Sequence, residues 1–412
     1  MTTKISLGAL LSLWALIIAS LIFPQQRVLL VVISIPVLIV VMGLQIIPRA
    51  VERSKNEVLK RGPYTIPKEV QEIHQKQFTV DLHADALLWN RNLLAFSDFG
   101  HVDIPRMVQG NVGFQVFGVV TKSPKGQNFD ANDDASDNIT LLAAIQAWPV
   151  RTWGSLLQRA LYQAEKLDWI EKASRGQFIF VKSVKDLDQF LTKRAENSMM
   201  TAGFPGLEGV HALEGKLENL DLLYAAGFRM IGLTHFFDNE AGGSAHGLSG
   251  DGLTSFGKEV VKRVQQNGMI LDLAHASPKM VDDALNIATA PVVVSHTGVR
   301  GTCDNVRNLS DTQMRGIAAT GGVMGIAMFE QAVCGETVAA TARAMRYAAD
   351  LVGVDHVAFG SDFDGSVKVP VDTSGVGLLT GALMQEGFNT EEIGMIMGAN
   401  ALRVFHETLP DA

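Results

Sequence analysis

Short apolar runs alternate with longer amphipathic stretches from about residue 77 to the end of the chain. In the amphipathic stretches, such as 256–268 and 277–289, apolar residues recur three and four positions apart, which predicts helices. Near-continuous hydrophobic strands joined by helices are typical of a parallel sheet. The apolar runs number eight and cover 78–85, 113–120, 203–213, 228–236, 269–277, 290–299, 321–329 and 355–365. Eight such units predict an α/β fold of the (β/α)8 TIM-type barrel class.

An open, doubly wound sheet is the structural alternative. That fold binds a nucleotide at a glycine-rich first turn. Neither a GxGxxG sequence after the first run nor a Walker A pattern is present, which favours the barrel. The interval 121–200 is longer than one βα unit needs and contains the acidic piece 128–138. It predicts an elaborated region near the barrel mouth.

Two long apolar runs precede the barrel, at residues 5–23 and 28–47. Each is long enough to span a bilayer core of about 30 Å, and the turn between them is short. We therefore predict two transmembrane helices in a hairpin over residues 1–48, a charged connector over 49–76 and a barrel domain over 77–412. A cleaved signal peptide is the alternative for the first run.

Basic residues indicate how such a hairpin would be oriented. Only Arg27 lies in the turn, whereas five basic residues follow the second run: Arg49, Arg53, Lys55, Lys60 and Arg61. The positive-inside rule then places both ends of the hairpin in the cytoplasm. The barrel domain is accordingly predicted on the cytoplasmic face of an inner or plasma membrane.

Charge and cysteine content narrow the function further. The formal net charge is −8, and no basic stripe is present, which argues against nucleic acid as a partner. Cys303 and Cys334 are the two cysteines of the chain. They form no disulfide framework and have no CxxC spacing, so the sequence indicates no thiolate metal site.

Potential metal ligands stand near the ends of the apolar runs. The imidazoles and carboxylates in question are His83, Glu208, His235, His275, His296 and Asp362. The carboxyl ends of the strands of a parallel barrel all face one mouth, where enzymes of this fold build their active sites. Buried charge is costly without a partner or a metal ion, so these positions predict a metal centre.

Three local patterns support this centre. His83 and Asp85 are two residues apart, so in an extended segment both side chains face the same side. His275 and His296 end consecutive strands, which lie about 4.8 Å apart. The two oxygens of Glu208 can bridge two ions roughly 3.5–4 Å apart. Each pattern alone is more often a strand-end turn or a core histidine, whereas the whole set favours a metal site.

Other polar residues have more than one interpretation. His235 is either a ligand or a hydrogen-bond donor to an oxyanion. Asp362 can accept a proton, and Asp364 is its rival. Arg307 either clamps a substrate carboxylate or lies in a surface loop. His211 is expected to support the metal ligands from behind rather than to bind an ion.

Six segments resemble the renal (membrane) dipeptidase family of zinc peptidases, in the amidohydrolase superfamily. They extend over most of residues 78–408, and as a set they are specific. The segments are HVDIPRMVQGNVGFQVFGVV, LEGVHAL, RMIGLTHFFDN, GMILDLAHAS, VVVSHTGVRGTCDNVRNLSD and GVDHVAFGSDFDG. The chain has EGVH where family members often have EGGH, so Val210 is expected to alter the pocket wall.

The resemblance implies two zinc ions and a role for each site residue. The first ion would be held by His83, Asp85 and Glu208, and the second by Glu208, His275 and His296. The resemblance also implies that His235 contacts the scissile carbonyl oxygen, that Arg307 contacts the substrate carboxylate and that Asp362 shuttles a proton. It suggests a homodimer as well.

The sequence therefore predicts a membrane-tethered binuclear zinc dipeptidase, in which a metal-bridging hydroxide attacks the peptide bond of a dipeptide. A related amidohydrolase acting on N-acyl amino acids or lactams is the alternative with the same site. A non-catalytic membrane binding protein is the alternative from another class. The expected partners are the dipeptide, the membrane and a second copy of the chain.

Overall fold

In this computed structural model, the structure describes residue 43 and residues 46–412. Nine strands in this part of the chain form one parallel sheet: β1 Thr79–Ala84, β2 Val112–Val120, β3 Phe178–Phe180, β4 Thr201–Glu208, β5 Met230–Gly232, β6 Ile270–Asp272, β7 Val292–Thr297, β8 Val323–Ile326 and β9 Val357–Phe359. Eight follow in the order β1-β2-β4-β5-β6-β7-β8-β9, and β3 pairs with β4 off this path. A parallel bridge between Ala84 and Phe363 joins the two ends. The predicted eight-stranded parallel barrel is confirmed.

Helices cover the outside of the strands. They are Lys68–Lys76, Ile104–Gln109, Asn138–Ile145, Leu156–Ala173, Val184–Glu196, Asn219–Ala225, Ser255–Gln266, Pro278–Ile287, Asp311–Ala319, Glu330–Val333, Val338–Val352, Gly377–Gln385, Thr390–Gly394 and Asn400–Thr408. Several begin at a serine or threonine whose side chain accepts a hydrogen bond from the first turn, as Ser277 and Ser310 do. These caps fix where each helix starts, and therefore the length of the loops at the barrel mouth.

The strands are buried on both faces, which explains their nearly continuous apolar sequence. Every residue of β1, β2, β4 and β7 is buried. Phe114 and Phe204 pack edge to face with ring centroids 5.3 Å apart, and Phe405 of the last helix lies 5.1 Å from Phe204. Such aromatic pairs add about 0.5–1.5 kcal/mol beyond the area they bury.

The interval 121–200 is elaborated. It holds the helices Asn138–Ile145, Leu156–Ala173 and Val184–Glu196 and the additional strand β3. The sequence pattern did not predict strand β3, which has three residues and pairs with β4 off the barrel path. Phe129 of the first part of the interval lines the cavity at the barrel mouth.

The structure describes only the last part of the segment that precedes the barrel. The apolar runs 5–23 and 28–47 fall almost wholly outside the described residues, so the predicted hairpin stays a prediction. Residues 46–55 are helical, and Val58 pairs in parallel with Val369. Every helix of residues 43 and 46–412 is too short or too polar to cross a bilayer.

Cys303 and Cys334 form a disulfide, with Cα atoms 5.3 Å apart. The sequence indicated no disulfide framework. The bond connects the loop after β7 with the end of the short helix after β8. Because β7 and β8 are neighbours in the sheet, these two segments meet although they are 31 residues apart in sequence.

Candidate metal centre

Five of the predicted site residues meet at the carboxyl ends of the barrel strands. His83 and His296 lie within β1 and β7, and Glu208 is the last residue of β4. His235 and His275 follow β5 and β6 by three residues. All five side chains are buried. The common direction of parallel strands therefore brings residues from distant parts of the chain together.

Four imidazoles surround the carboxylate of Glu208. Its Oε1 atom lies 3.3–3.5 Å from the Nε2 atoms of His83, His275 and His296. Its Oε2 atom lies 3.2 Å from Nε2 of His235. The two carboxylate oxygens of Glu208 thus face the ring nitrogens of different histidines.

Several of these polar atoms have no hydrogen-bond partner among the described residues. They are Nε2 of His83, Oδ1 of Asp85, Oε2 of Glu208 and Nδ1 of His275. A buried donor or acceptor left unpaired costs about 1–3 kcal/mol, and native proteins contain few. Nitrogen and carboxylate donors converging in this way fit a divalent ion such as zinc.

Three sets of side chains have ligand atoms within 4.8 Å of one another: His83 with Glu208 and His296, Glu208 with His235 and His275, and His83 with Asp85 and Asp362. The first two sets share Glu208, as the two predicted ion sites do. His275 is grouped here with His235, although its Nε2 also lies 2.9 Å from Nε2 of His296. Asp85 falls in a set with Asp362 rather than with Glu208.

The carboxylates of the site favour a bound cation. Burial and the neighbouring Asp85 raise the pKa of Glu208 well above its usual value. Burial and Asp85 also raise the pKa of Asp362 to about 8. Burial lowers the pKa of His83, but Asp85 and Glu208 outweigh it and raise that pKa to about 10. Protons bound to these groups neutralise part of the negative charge of the site. A metal ion that binds there would displace these protons and neutralise the same charge.

The other histidines of the site are kept neutral. Burial is the largest cause that lowers the pKa of His275 and His296 well below its usual value, and nearby cations lower it further. Burial lowers the pKa of His235 to about 4. Neutral imidazole is the form that binds a metal, so these side chains need not lose a proton first.

Hydrogen bonds outside the ligand set orient two of the histidines. Ser295 Oγ donates to Asp272 at 2.5 Å and lies 3.0 Å from Nδ1 of His296. Ser361 donates from its backbone N–H and its hydroxyl to buried Asp81, and the same hydroxyl lies 3.0 Å from the carbonyl oxygen of His83. Asp81 and Ser361 are 280 residues apart, so no local pattern in the sequence indicated their contact.

Backbone strain is concentrated at the site. His275 and Asp362 have φ values of 60° and 63°, in the left-handed region. A residue other than glycine in this conformation costs about 1–3 kcal/mol, and such residues cluster at active sites. The strain is consistent with a functional demand on the direction of these two side chains.

Gly118 of β2 is a site residue that the sequence did not reveal. A Cβ atom at this position would clash with Oδ1 of Asp85 and lie 2.7 Å from Nε2 of His83. The strand therefore needs glycine here because two predicted ligands occupy the space of a side chain. A single glycine in a strand is otherwise too common to be a signal.

A cavity of about 100 Å³ opens beside the ligands. Asp85, Glu208, His235, His275, Arg307 and Asp362 line it together with the apolar residues Leu88, Val120, Phe129, Ile139, Phe236 and Phe329. Arg307 is buried, donates to the carbonyl oxygen of His296 at 2.6 Å and has an Nε–H without a hydrogen-bond partner among the described residues. The alternative prediction, that Arg307 is a surface-loop arginine, is therefore excluded.

Asp364, the predicted rival of Asp362, does not line this cavity. Its carboxylate accepts hydrogen bonds from Arg91 and from the backbone N–H groups of His101 and Val102. These hydrogen bonds fix the Asp364 carboxylate within its own loop.

Two further buried histidines lie near the ligands. His211 packs against Phe237 with ring centroids 4.8 Å apart, and neither of its ring nitrogens has a hydrogen-bond partner among the described residues. His246 stacks on Phe236 at 4.6 Å and lies 5.4 Å from the ring of His275. The sequence suggested a supporting role for His211 and none for His246, whose loop shows no periodic pattern.

Comparisons with known proteins identify the family of the chain. The family model described as membrane dipeptidase (peptidase family M19) matches residues 67–410. Dipeptidase tcpJ of Claviceps purpurea is 28% identical over 377 residues, which cover 85% of this chain and 80% of that protein. An uncharacterized dipeptidase of Schizosaccharomyces pombe is 28% identical over 319 residues, 75% of this chain and 73% of that protein.

Solved structures show the same fold. The probable dipeptidase PvdM of Pseudomonas aeruginosa superposes with a TM-score of 0.70 at 20% identity, covering 84% of this chain and 98% of the other. A metallo peptidase of Rhodobacter sphaeroides, liganded with a phosphinate mimic of the dipeptide L-Ala-D-Ala, gives 0.66 at 24% identity, covering 80% and 99%. With most of its length matched by the family model and two of its three groups of possible metal ligands sharing Glu208, the chain belongs to the membrane dipeptidase family, peptidase family M19, and is a metallo-dipeptidase.

Proposed function

We propose that this metallo-dipeptidase is binuclear and that two zinc ions share the carboxylate of Glu208. The observation that carries this proposal is that two groups of possible ligands share Glu208, one with His83 and His296 and the other with His235 and His275. A carboxylate approached from both oxygens is suited to bridging two ions. His83 and Asp85 would complete one site, and His275 and His296 the other.

When bound, the two ions would lower the pKa of a water molecule in the cavity and so supply the nucleophile at neutral pH. The protein supplies position and proton transfer. Arg307 lines the cavity, has one guanidinium N–H bonded to the chain and has a buried Nε–H without a hydrogen-bond partner among the described residues. It can therefore hold the terminal carboxylate of a short peptide.

Substrate length follows from this arrangement. The carboxylate clamp and the metal ligands line one cavity of about 100 Å³. A peptide whose C-terminal carboxylate is bound by Arg307 then presents its last peptide bond to the ligands. This geometry favours substrates of two residues.

Asp362 is proposed to carry the proton to the leaving amine. Its pKa of about 8, raised by burial, allows both the protonated and the ionised form near neutral pH. A group that exchanges its proton in this range is suited to general acid–base catalysis.

His235 is proposed to stabilise the oxyanion, which requires a particular tautomer. Its Nδ1 atom lies 3.4 Å from the carbonyl oxygen of Lys122, an acceptor only, so this contact favours the proton on Nδ1. A donor to the substrate needs the proton on Nε2. Because a contact of 3.4 Å is long for a hydrogen bond, the change of tautomer costs little.

The proposal extends to the N-terminal apolar runs and to assembly. Their length and flanking charges support a membrane-tethered protein with the barrel on the cytoplasmic face, and the family resemblance suggests a homodimer. Crosslinking of the protein in native membranes, followed by carbonate extraction, tests both points. A protein that is released by carbonate or remains a monomer would contradict the corresponding part.

A substrate survey tests the reaction. The full-length protein is assayed with and without added zinc against a dipeptide library, N-acyl amino acids and lactams, and its metal content is measured. We expect about two metals per chain and turnover of dipeptides. Turnover restricted to acyl amino acids or lactams would favour the amidohydrolase alternative. Absence of both metal and turnover would favour a non-catalytic binding protein.

A further inference from the structure

The segment that joins the N-terminal apolar runs to the barrel packs on the loop that carries Asp362. We call residues 52–60 the strap and residues 362–370 the catalytic loop. The strap precedes the range 67–410 that the family model matches. Glu52 and Asn56 of the strap are 2% and 0% exposed. A linker without a role in the barrel would leave such polar side chains in water.

A buried chain of charges connects the strap to the catalytic loop. Arg91 donates from Nε to Glu52 and from NH2 to Asp364. At most 3% of each of these three side chains is exposed. Asp364 in turn accepts the backbone N–H of His101 at 2.6 Å, and its own N–H donates to Nδ1 of His101 at 2.8 Å.

Hydrogen bonds to the backbone form a second connection. Asn56 Oδ1 accepts the N–H of Ser366 at 2.9 Å. Leu59 N donates to the carbonyl oxygen of Val369 at 2.9 Å, and Val369 N donates to that of Glu57 at 3.0 Å. The strap thus pairs with the catalytic loop as a short parallel strand would.

The catalytic loop requires such support. Asp362, Asp364 and Ser366 have φ values of 63°, 61° and 61°, all left-handed. Each costs about 1–3 kcal/mol, and such strain persists only where the surroundings fix the conformation. The same loop supplies Gly365, Ser366 and Val367 to the wall of the cavity. Its conformation therefore sets both the direction of Asp362 and the shape of the site.

We propose that Glu52 and Asn56 are positioning residues, through which the strap holds the catalytic loop in the conformation that directs Asp362 into the cavity. The proposal rests on the proposed role of Asp362 in catalysis. Without the charge of Glu52, the Arg91 guanidinium stays buried with one charged partner fewer. Without the Asn56 side chain, the Ser366 N–H loses its acceptor. In either case the strained loop relaxes toward other conformations.

The test uses full-length Glu52→Gln and Asn56→Ala variants. Arg53→Ala is the matched control, since Arg53 lies in the same helix but pairs with Asp98 at the surface, where the side chains are 54% and 73% exposed. The measurements are kcat, KM, metal content and amide hydrogen exchange of residues 362–370. For both strap variants we expect kcat to fall about tenfold, which corresponds to about 1.4 kcal/mol, with KM within about twofold and metal content unchanged. Exchange of residues 362–370 rises, and Arg53→Ala matches the parent.

The exchange measurement requires no substrate and separates this proposal from the proposed function. Unchanged exchange and unchanged kcat in both strap variants would overturn the positioning role. A fall in kcat that parallels loss of metal would overturn it too, since the variants would then act on the metal centre. A parent protein inactive toward every dipeptide would refute the proposed function, while exchange alone then decides whether the strap holds the loop. If Glu52→Gln does not fold, Asn56→Ala carries the same test.

Discussion

The Nε2 atoms of His275 and His296 lie 2.9 Å apart at the mouth of the barrel. Both rings are buried, and burial is the main cause that keeps the pKa of each well below its usual value. A cation between or beside two neutral imidazoles is favourable, because each ring offers a lone pair. The pair is therefore the part of the site that should respond most directly to loss of a ligand.

His275→Ala is expected to remove about one metal per chain and to abolish dipeptide hydrolysis, because it takes away a nitrogen ligand that faces Glu208. Metal analysis and steady-state kinetics measure both effects. His406→Ala is the control, since His406 is exposed on the last helix. A variant that keeps two metals and normal turnover would show that the ligand assignment is wrong.

Asp362→Asn is expected to keep both metals and to lower kcat about 10²–10⁴-fold, the usual contribution of a general acid–base group. Metal content is measured beside kcat because Asp362 lies within ligand distance of His83 and Asp85. Loss of a metal in this variant would show that Asp362 is a ligand. A near-normal kcat would assign the proton transfer to Glu208 instead.

Gly118→Ala is expected to reduce metal content and activity together. The added methyl group would displace Oδ1 of Asp85 and Nε2 of His83 from their positions. Gly154→Ala is the matched control, since no atom of the described residues beyond its chain neighbours lies within 4 Å of a Cβ atom there. Equal metal content in both variants would mean that the strand can move without disturbing the ligands.

Buried His101 is expected to make the protein less stable in acid. Burial lowers its pKa from 6.5 to about 4, against an opposing effect of Asp364 and with smaller contributions from Arg106, Arg91 and Asp372. The unfolded state therefore binds a proton that the folded state does not. The stability that this difference contributes is complete above pH 6.5 and is lost as the pH falls toward 4, at up to about 1.4 kcal/mol per pH unit.

Denaturant unfolding between pH 7 and pH 4 measures this loss. His101→Asn keeps an acceptor for the Asp364 N–H but does not titrate, so its stability should fall less steeply than that of the parent. Equal slopes for parent and variant would exclude His101 as the cause. His406→Asn, at an exposed position, is the control.

A reporter that is active only outside the cytoplasm is expected to stay silent when fused after Arg61, because basic residues follow the second apolar run. The Cys303–Cys334 disulfide is the opposing observation, since such bonds persist mainly in oxidising compartments. An active reporter, together with cysteines that react with an alkylating reagent only after reduction, would place the barrel outside the cytoplasm. The proposed ligands would be the same on either side.

The sequence by itself determined the barrel and the position of most of the site. Eight apolar runs of strand length, joined by helices, leave few alternatives to a parallel barrel, and the carboxyl ends of parallel strands meet at one mouth. Residues such as His83 and His296 could therefore be assigned to one centre from their places at strand ends. Their types then indicated metal chemistry.

Tertiary structure alone decided which of several similar residues face the cavity and what holds them there. Asp362 and Asp364 are two residues apart, yet only Asp362 lines the cavity, because Arg91 and two backbone amides hold Asp364 elsewhere. Gly118 and Glu52 affect the site through contacts with residues that are distant from them in the sequence. Local periodicity reports which face of a strand or helix is apolar, but it contains no information on contacts between distant segments, and these are fixed only when the barrel closes.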